Sequence, residues 1–272
     1  MSRLRLINIA APSNPPATKA EVYFDTTGVG TPAATCLMGI DSSGNKAMLA
    51  HFAILDYRLI TVRILTSATS YVPTAGTRSI YVECIGGGGG GGSSGAVVAV
   101  SASCAGGGGS AGYSASFLTG AQVKNPTTYA VGTGGGGGAS GGNNNGTVGN
   151  DTTWDTSVIV AKGGSGGITG GTQAATVAEA LGGAGGIAGT GTLAAVGNQG
   201  GVGCRFSGTQ GVSGYGAASH LGGSVNGRCI TAAGATGGVY GSGGSGACSV
   251  NGGASGAGGT GGAGVIRVWE FA

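Results

Sequence analysis

Apolar and polar positions follow a strand pattern at two places that frame the chain. Ser79-Ile80-Tyr81-Val82-Glu83-Cys84-Ile85 is an apolar strand that stops at seven consecutive glycines, Gly86 to Gly92. Val265-Ile266-Arg267-Val268-Trp269-Glu270-Phe271 alternates like a closing strand. Shorter runs predict further strands at Glu21–Asp25, Cys36–Asp41, Lys46–Ala50 and from about Leu59 to Leu65, with a turn at Ser42-Ser43-Gly44-Asn45. Between residues 51 and 58 the pattern fits a short helical or irregular connector. Leu55, Leu59 and Val62 suit a helix stripe, whereas Ile60, Val62 and Ile64 suit a strand.

Of the 67 glycines, five precede Gly86, which leaves 62 between residues 86 and 264. Glycine at this density normally opposes folding, because each one loses maximal backbone entropy. Strand-like pieces recur inside the region, however, at Tyr113, Phe117, Tyr129, Trp154, Val158, Ile159 and Val160. A flexible Gly/Ser linker does not account for them. Gly-Gly-x triplets are visible at residues 163–168, 182–187 and 258–263. A polyproline II helix has about three residues per turn, so such triplets place every third side chain on one edge. The two bare edges let neighbouring helices approach and pair their backbone N–H and C=O groups. Collagen needs a strict glycine period and proline, and proline is absent after Pro126. The fold expected is therefore mainly β: a small N-terminal β module, then a β sandwich carrying an inserted lattice of glycine-rich polyproline II helices. The expected divisions are an extended attachment arm at 1–18 with Pro12, Pro15 and Pro16, a small β module at 19–50, a connector at 51–58 and the glycine-rich domain at 59–272.

Charge adds little. The formal net charge is +3, without the Lys/Arg clustering that nucleic acid requires. No apolar run is long enough to span a bilayer, so no membrane insertion is expected. The N-terminus lacks an apolar signal region, so no secretory signal is expected. The cysteines, Cys36, Cys84, Cys104, Cys204, Cys229 and Cys248, form no C-x-x-C pair. No zinc site is expected, and the thiols read as small buried groups, with disulfides the alternative. Gly163-Gly164-Ser165-Gly166-Gly167 satisfies the nucleophile-elbow pattern, yet it lacks the strand-turn-helix context. Asp151 and Asp155 flank Trp154 and read as a solvated surface rather than a catalytic pair. Neither an enzyme nor a cofactor is expected.

Two stretches resemble bacteriophage proteins. Lys19-Ala20-Glu21-Val22-Tyr23-Phe24-Asp25 followed by Leu37-Met38-Gly39-Ile40-Asp41-Ser42-Ser43-Gly44-Asn45-Lys46 looks like a module of phage fibre and virion proteins. Val62 to Thr66, Ser70-Tyr71-Val72-Pro73-Thr74-Ala75-Gly76-Thr77, Ile80 to Ile85 with the glycines, and the ending Gly261 to Phe271 are similar to the glycine-rich C-terminal domain of phage tail fibres. That resemblance covers about residues 60 to 272. It implies a fibre or tail-tip adhesin whose N-terminal arm docks on virion proteins and whose far end binds a host surface glycan or outer-membrane protein, outward-facing on the particle. It also implies a homotrimer, which the coreless N-terminal module would suit. A structural virion protein, such as a head fibre, decoration or baseplate component, is the alternative. Loops at the lattice tips then become receptor candidates: Asn144, Phe206, Tyr215, His220, Arg228 and Tyr240. Tyr, Asn and Ser are adaptable contact residues; taken one at a time, Phe206, Tyr215 and Tyr240 suit simple capping of the lattice better.

Overall fold

The computed structural model describes residues 21–25, 35–40, 46–52 and, from 58 to 272, all but 68–69 and 172–176. The 1–18 arm, the Ser42–Asn45 turn and residues 53–57 of the connector lie outside the described residues. The chain divides into two units, Met1–Tyr57 and Arg58–Ala272.

The first unit contains a three-stranded antiparallel sheet of Glu21–Asp25, Thr35–Ile40 and Lys46–Phe52 in sequence order. The third strand runs past the expected boundary at Ala50. The second strand starts at Thr35, so His51 and Phe52 still find partners in Cys36 and Thr35, and the strand pattern wins over the helical one there.

The second unit is a β sandwich. One sheet has the order Leu193–Ala195, Tyr113–Thr119, Ser79–Ile85, Val265–Phe271, Leu59–Leu65. The two strands that frame the glycines pair along their whole length, from Val265 opposite Ile85 to Phe271 opposite Ser79. The other sheet orders Ile159–Ala161, Thr152–Trp154, Thr127–Ala130 and Ser70–Tyr71. Val158 falls in the turn before its strand, where Asp155 and Thr156 take positive φ. Between the sheets Tyr71, Ile80, Val82, Cys84, Leu118, Trp154, Ile159, Ile266 and Val268 form one buried cluster. Trp154 is the largest of these, with Tyr71 and Tyr129 against its ring. Every second residue of the two central strands enters this cluster, Ile80, Val82 and Cys84 from one and Ile266 and Val268 from the other, which is why a period of two was readable there.

The glycines leave the sandwich as straight three-fold segments. Along residues 86–94 the backbone donors address three neighbours in rotation. Gly86, Gly89 and Gly92 donate to Gly112, Gly109 and Gly106; Gly87, Gly90 and Ser93 donate to Asn150, Thr147 and Asn144; Gly88, Gly91 and Ser94 donate to Gly262, Gly259 and Gly256. These three neighbours run antiparallel. The carbonyls accept from three more, all parallel: Gly164, Gly167 and Gly170; Gly135 and Gly138; Gly244 and Ala247. A repeat at every third residue is the signature of the polyproline II helix, whose peptide groups pair only between helices. Segment 86–94 is thus enclosed by six others. Segment 105–112 is a second such centre, bonded to 86–92, 162–168, 183–186, 198–201, 214–217 and 241–247.

Close approach requires the missing Cβ. At Gly90 a Cβ would stand 2.0 Å from the Gly136 carbonyl oxygen, and at Gly107 1.9 Å from that of Tyr215. Any side chain there would push the helices apart and strand their peptide groups without partners.

Candidate functional site

Direction along the lattice separates two ends. Segments 86–94, 132–138, 162–170, 197–201 and 241–247 run outward from the sandwich. Segments 105–112, 144–150, 181–187, 213–217 and 256–264 return. The turns at 95–104, 139–143, 202–212 and 248–255 therefore lie at the distal end, and so does the turn after Arg228, since Arg228 pairs with Ser213 and Ala232 with Cys248. The turns at 188–196, 218–222 and 239–241 lie beside the sandwich.

The distal end is tied together by short-range chemistry. Ala102–Cys104 pairs with Cys248–Val250, and Cys104 lies opposite Cys248, to which it is joined by a disulfide. This corrects the expectation of buried thiols for that pair; strand pairing brings together two residues that are 144 apart in sequence. Cys84 is a buried free thiol and burial raises its pKa, whereas Cys204 and Cys229 are free and less enclosed. Asn251 takes positive φ, and its Oδ1 accepts the Val100 N–H. A Cβ on Gly208 would lie 1.9 Å from the Val100 oxygen, so the 98–101 and 206–210 turns touch. Arg205 is buried and donates from Nη1 to the Ala102 oxygen.

Over this frame several apolar side chains stand in solvent. Val98, Val100, Phe206 and Ile230 are each more than half exposed, at 63%, 62%, 58% and 66%. Charge is sparse there: Arg205 is buried, Arg228 is half-buried with its Nε donating to the Ala233 oxygen, and Glu179, opposite Cys204, is exposed. The end thus presents exposed apolar side chains among few charges on a hydrogen-bonded support, an arrangement suited to contact. Among the described residues no three His, Cys, Asp or Glu side chains come together. Asp151 and Asp155 pair separately, with Lys162 and Lys124.

The six candidates do not form one surface. Phe206 projects from a distal hairpin between Gly203–Arg205 and Gly211–Val212. Arg228 and Asn144 are distal too, but the Asn144 Nδ2 closes its own turn by donating to the Ala139 oxygen. Tyr215 lies on the lattice wall, its ring where a Gly201 Cβ would be. His220 and Tyr240 are at the sandwich end. The His220 ring lies tilted against Tyr113, with centroids 4.3 Å apart, and Tyr240, at positive φ, packs on the cluster of Ile85 and Val265. Consecutive turns alternate between ends, so neighbours in sequence separate in space. Val98, Val100 and Ile230 were missed; the signal was present as valines interrupting the glycines right after Gly95.

At the sandwich two carboxylates hold the motif residues. Glu83 accepts from Arg267 Nε and Nη2, from Trp269 Nε1 and from Tyr113 Oη. Burial opposes its charge, yet these donors outweigh it and keep the carboxyl below its usual range. Glu270, fully buried, accepts from Tyr71 Oη, Thr74 N and Thr77 Oγ1, with the same net result.

Residues 64–268 match the glycine-rich domain family, and the chain belongs to it. No curated relative matches the sequence.

Proposed function

We propose that this member of the glycine-rich domain family is a phage tail fibre or tail-tip adhesin that binds a host-cell surface receptor without catalysis. In this reading the N-terminal arm and β module dock on virion proteins, and the distal end of the lattice meets the host. The observation that carries the reading is the set of exposed apolar side chains Val98, Val100, Phe206 and Ile230, presented at the far end of a lattice in which central segments use their N–H and C=O groups on six neighbours. A support of that kind lowers the ordering cost of the loops it presents. Homotrimer assembly and a glycan or outer-membrane protein receptor belong to the same proposal.

The test is adsorption competition. Labelled protein is added to host cells, binding is scored, and whole phage is then added. Saturable binding that blocks adsorption supports the adhesin. Neither binding nor blocking overturns it and leaves a structural place in the virion.

A further inference from the structure

Asn-Gly occurs at Asn145-Gly146, Asn226-Gly227 and Asn251-Gly252. In such a pair the glycine nitrogen can reach the asparagine Cγ, because no Cβ shields the approach. Two conditions apply: the glycine N–H must be free to lose its proton, and the asparagine side chain must be free to turn. The structure separates the three pairs on both counts. Asn145 Oδ1 accepts from Thr169 N at 2.9 Å, and Gly146 N donates to the Gly167 oxygen at 2.9 Å. Asn251 Oδ1 accepts from Val100 N at 3.3 Å, and Gly252 N donates to the Val98 oxygen at 3.0 Å. Asn226 is exposed, and among the described residues neither its side chain nor the Gly227 N–H has a hydrogen-bond partner.

We propose that Asn226 is a self-modification site that deamidates through a succinimide. The Gly227 nitrogen gives up its proton to solvent base and bonds to Asn226 Cγ. The Cγ–Nδ2 bond breaks, and ammonia leaves after taking a proton from water. Water then opens the ring at one carbonyl or the other and yields aspartate or isoaspartate. The sequence of steps needs water alone, with no oxidant or reductant.

The position makes the change structural. Val225 exchanges two hydrogen bonds with Gly216, and Arg228 exchanges two with Ser213. The anchors are three residues apart on both segments, one turn of the helix. Isoaspartate inserts a methylene into the backbone between them, so both anchors cannot be kept in register. The distal turn that follows Arg228 is released, and a carboxylate appears two residues from the Arg228 guanidinium.

The test compares native protein with protein unfolded in guanidinium, both held at mildly alkaline pH. Peptide mapping by mass spectrometry and enzymatic methylation of isoaspartate give the rate at each asparagine. The native-to-unfolded rate ratio at Asn226 is expected within a few-fold of one. At Asn145 and Asn251 it is expected roughly tenfold lower or more, since a hydrogen bond must open first. Asn226→Gln is expected to remove most of the native isoaspartate and to leave the melting temperature unchanged. A ratio at Asn226 no higher than at the other two, or a native signal that survives Asn226→Gln, overturns the proposal.

Discussion

Tyr71 donates its hydroxyl to Glu270 at 2.7 Å, although 199 residues separate them. The bond joins the Ser70–Tyr71 strand, near the start of the glycine-rich domain, to the strand that closes it. Thr74 and Thr77 bind the same carboxylate, so the Tyr71-to-Thr77 stretch and the terminal Glu270-Phe271 are two halves of one latch. Glu83 does the same work for Arg267, Trp269 and Tyr113. Residues that looked like scattered motif letters are the fastening of the sandwich.

The latch gives acid sensitivity. Glu83 and Glu270 have folded pKa values below their usual value of 4.5. A depressed carboxylate contributes stability that is present above the unfolded pKa and lost as pH falls through the folded one. The melting temperature is expected to fall as pH drops below about 4.5. Glu83→Gln with Glu270→Gln should flatten that dependence while lowering stability at neutral pH by about 1–3 kcal/mol at each site. Thermal melts across pH check both, and an unchanged slope counts against the latch.

The lattice distinguishes one glycine from another. Gly90→Ala is expected to cost about 3 kcal/mol or more, because its Cβ would be 2.0 Å from the Gly136 oxygen. Gly223 has nothing within 4 Å of such a Cβ and no positive φ. Gly223→Ala is expected to be neutral or to stabilise by about 0.4–1 kcal/mol through the unfolded chain. Chemical denaturation of the two variants reads the contrast.

The core sets a third expectation. Trp154→Ala removes the largest fully buried side chain and should cost about 3–5 kcal/mol, measured as a fall in the denaturation midpoint.

The disulfide sets a fourth. Replacing Cys104 and Cys248 by serine is expected to cost about 2–5 kcal/mol, because a loop of 144 residues is no longer closed in the unfolded chain. Peptide mapping without reductant should recover the linked pair, and recovery of two free thiols instead would sink this expectation.

The proposed adhesin divides the surface. Phe206→Ala should weaken host binding roughly tenfold or more, as loss of a central aromatic contact does. His220→Ala, at the sandwich end, should leave binding unchanged. Equal loss from both would place the contact elsewhere.

Much of the β framework was legible because it obeys a period of two. Ser79–Ile85 and Val265–Phe271 stand where alternation put them, each sending alternate residues into one core; Leu59–Leu65 stands there too, but as an edge strand whose Leu59, Val62 and Ile64 are exposed. The polyproline II lattice was legible too, since only helices that touch backbone to backbone require Gly-Gly-x. The candidate contact surface was not. Phe206 and Tyr240 are both aromatic residues at turns between glycine segments, and their local sequences do not differ in any way that fixes an end.

By itself the sequence determined that glycine segments must pack side by side and that a sandwich must open and close them. Only the tertiary structure decided which segment neighbours which. Bare glycine edges carry no side chain to specify a partner, so identical-looking triplets meet different neighbours according to where the sandwich strands launch and recover them. That assignment put Phe206 at the far end and Tyr240 at the near one. It also brought Cys104 to Cys248 and bound the Gly146 and Gly252 amides while leaving Gly227 free.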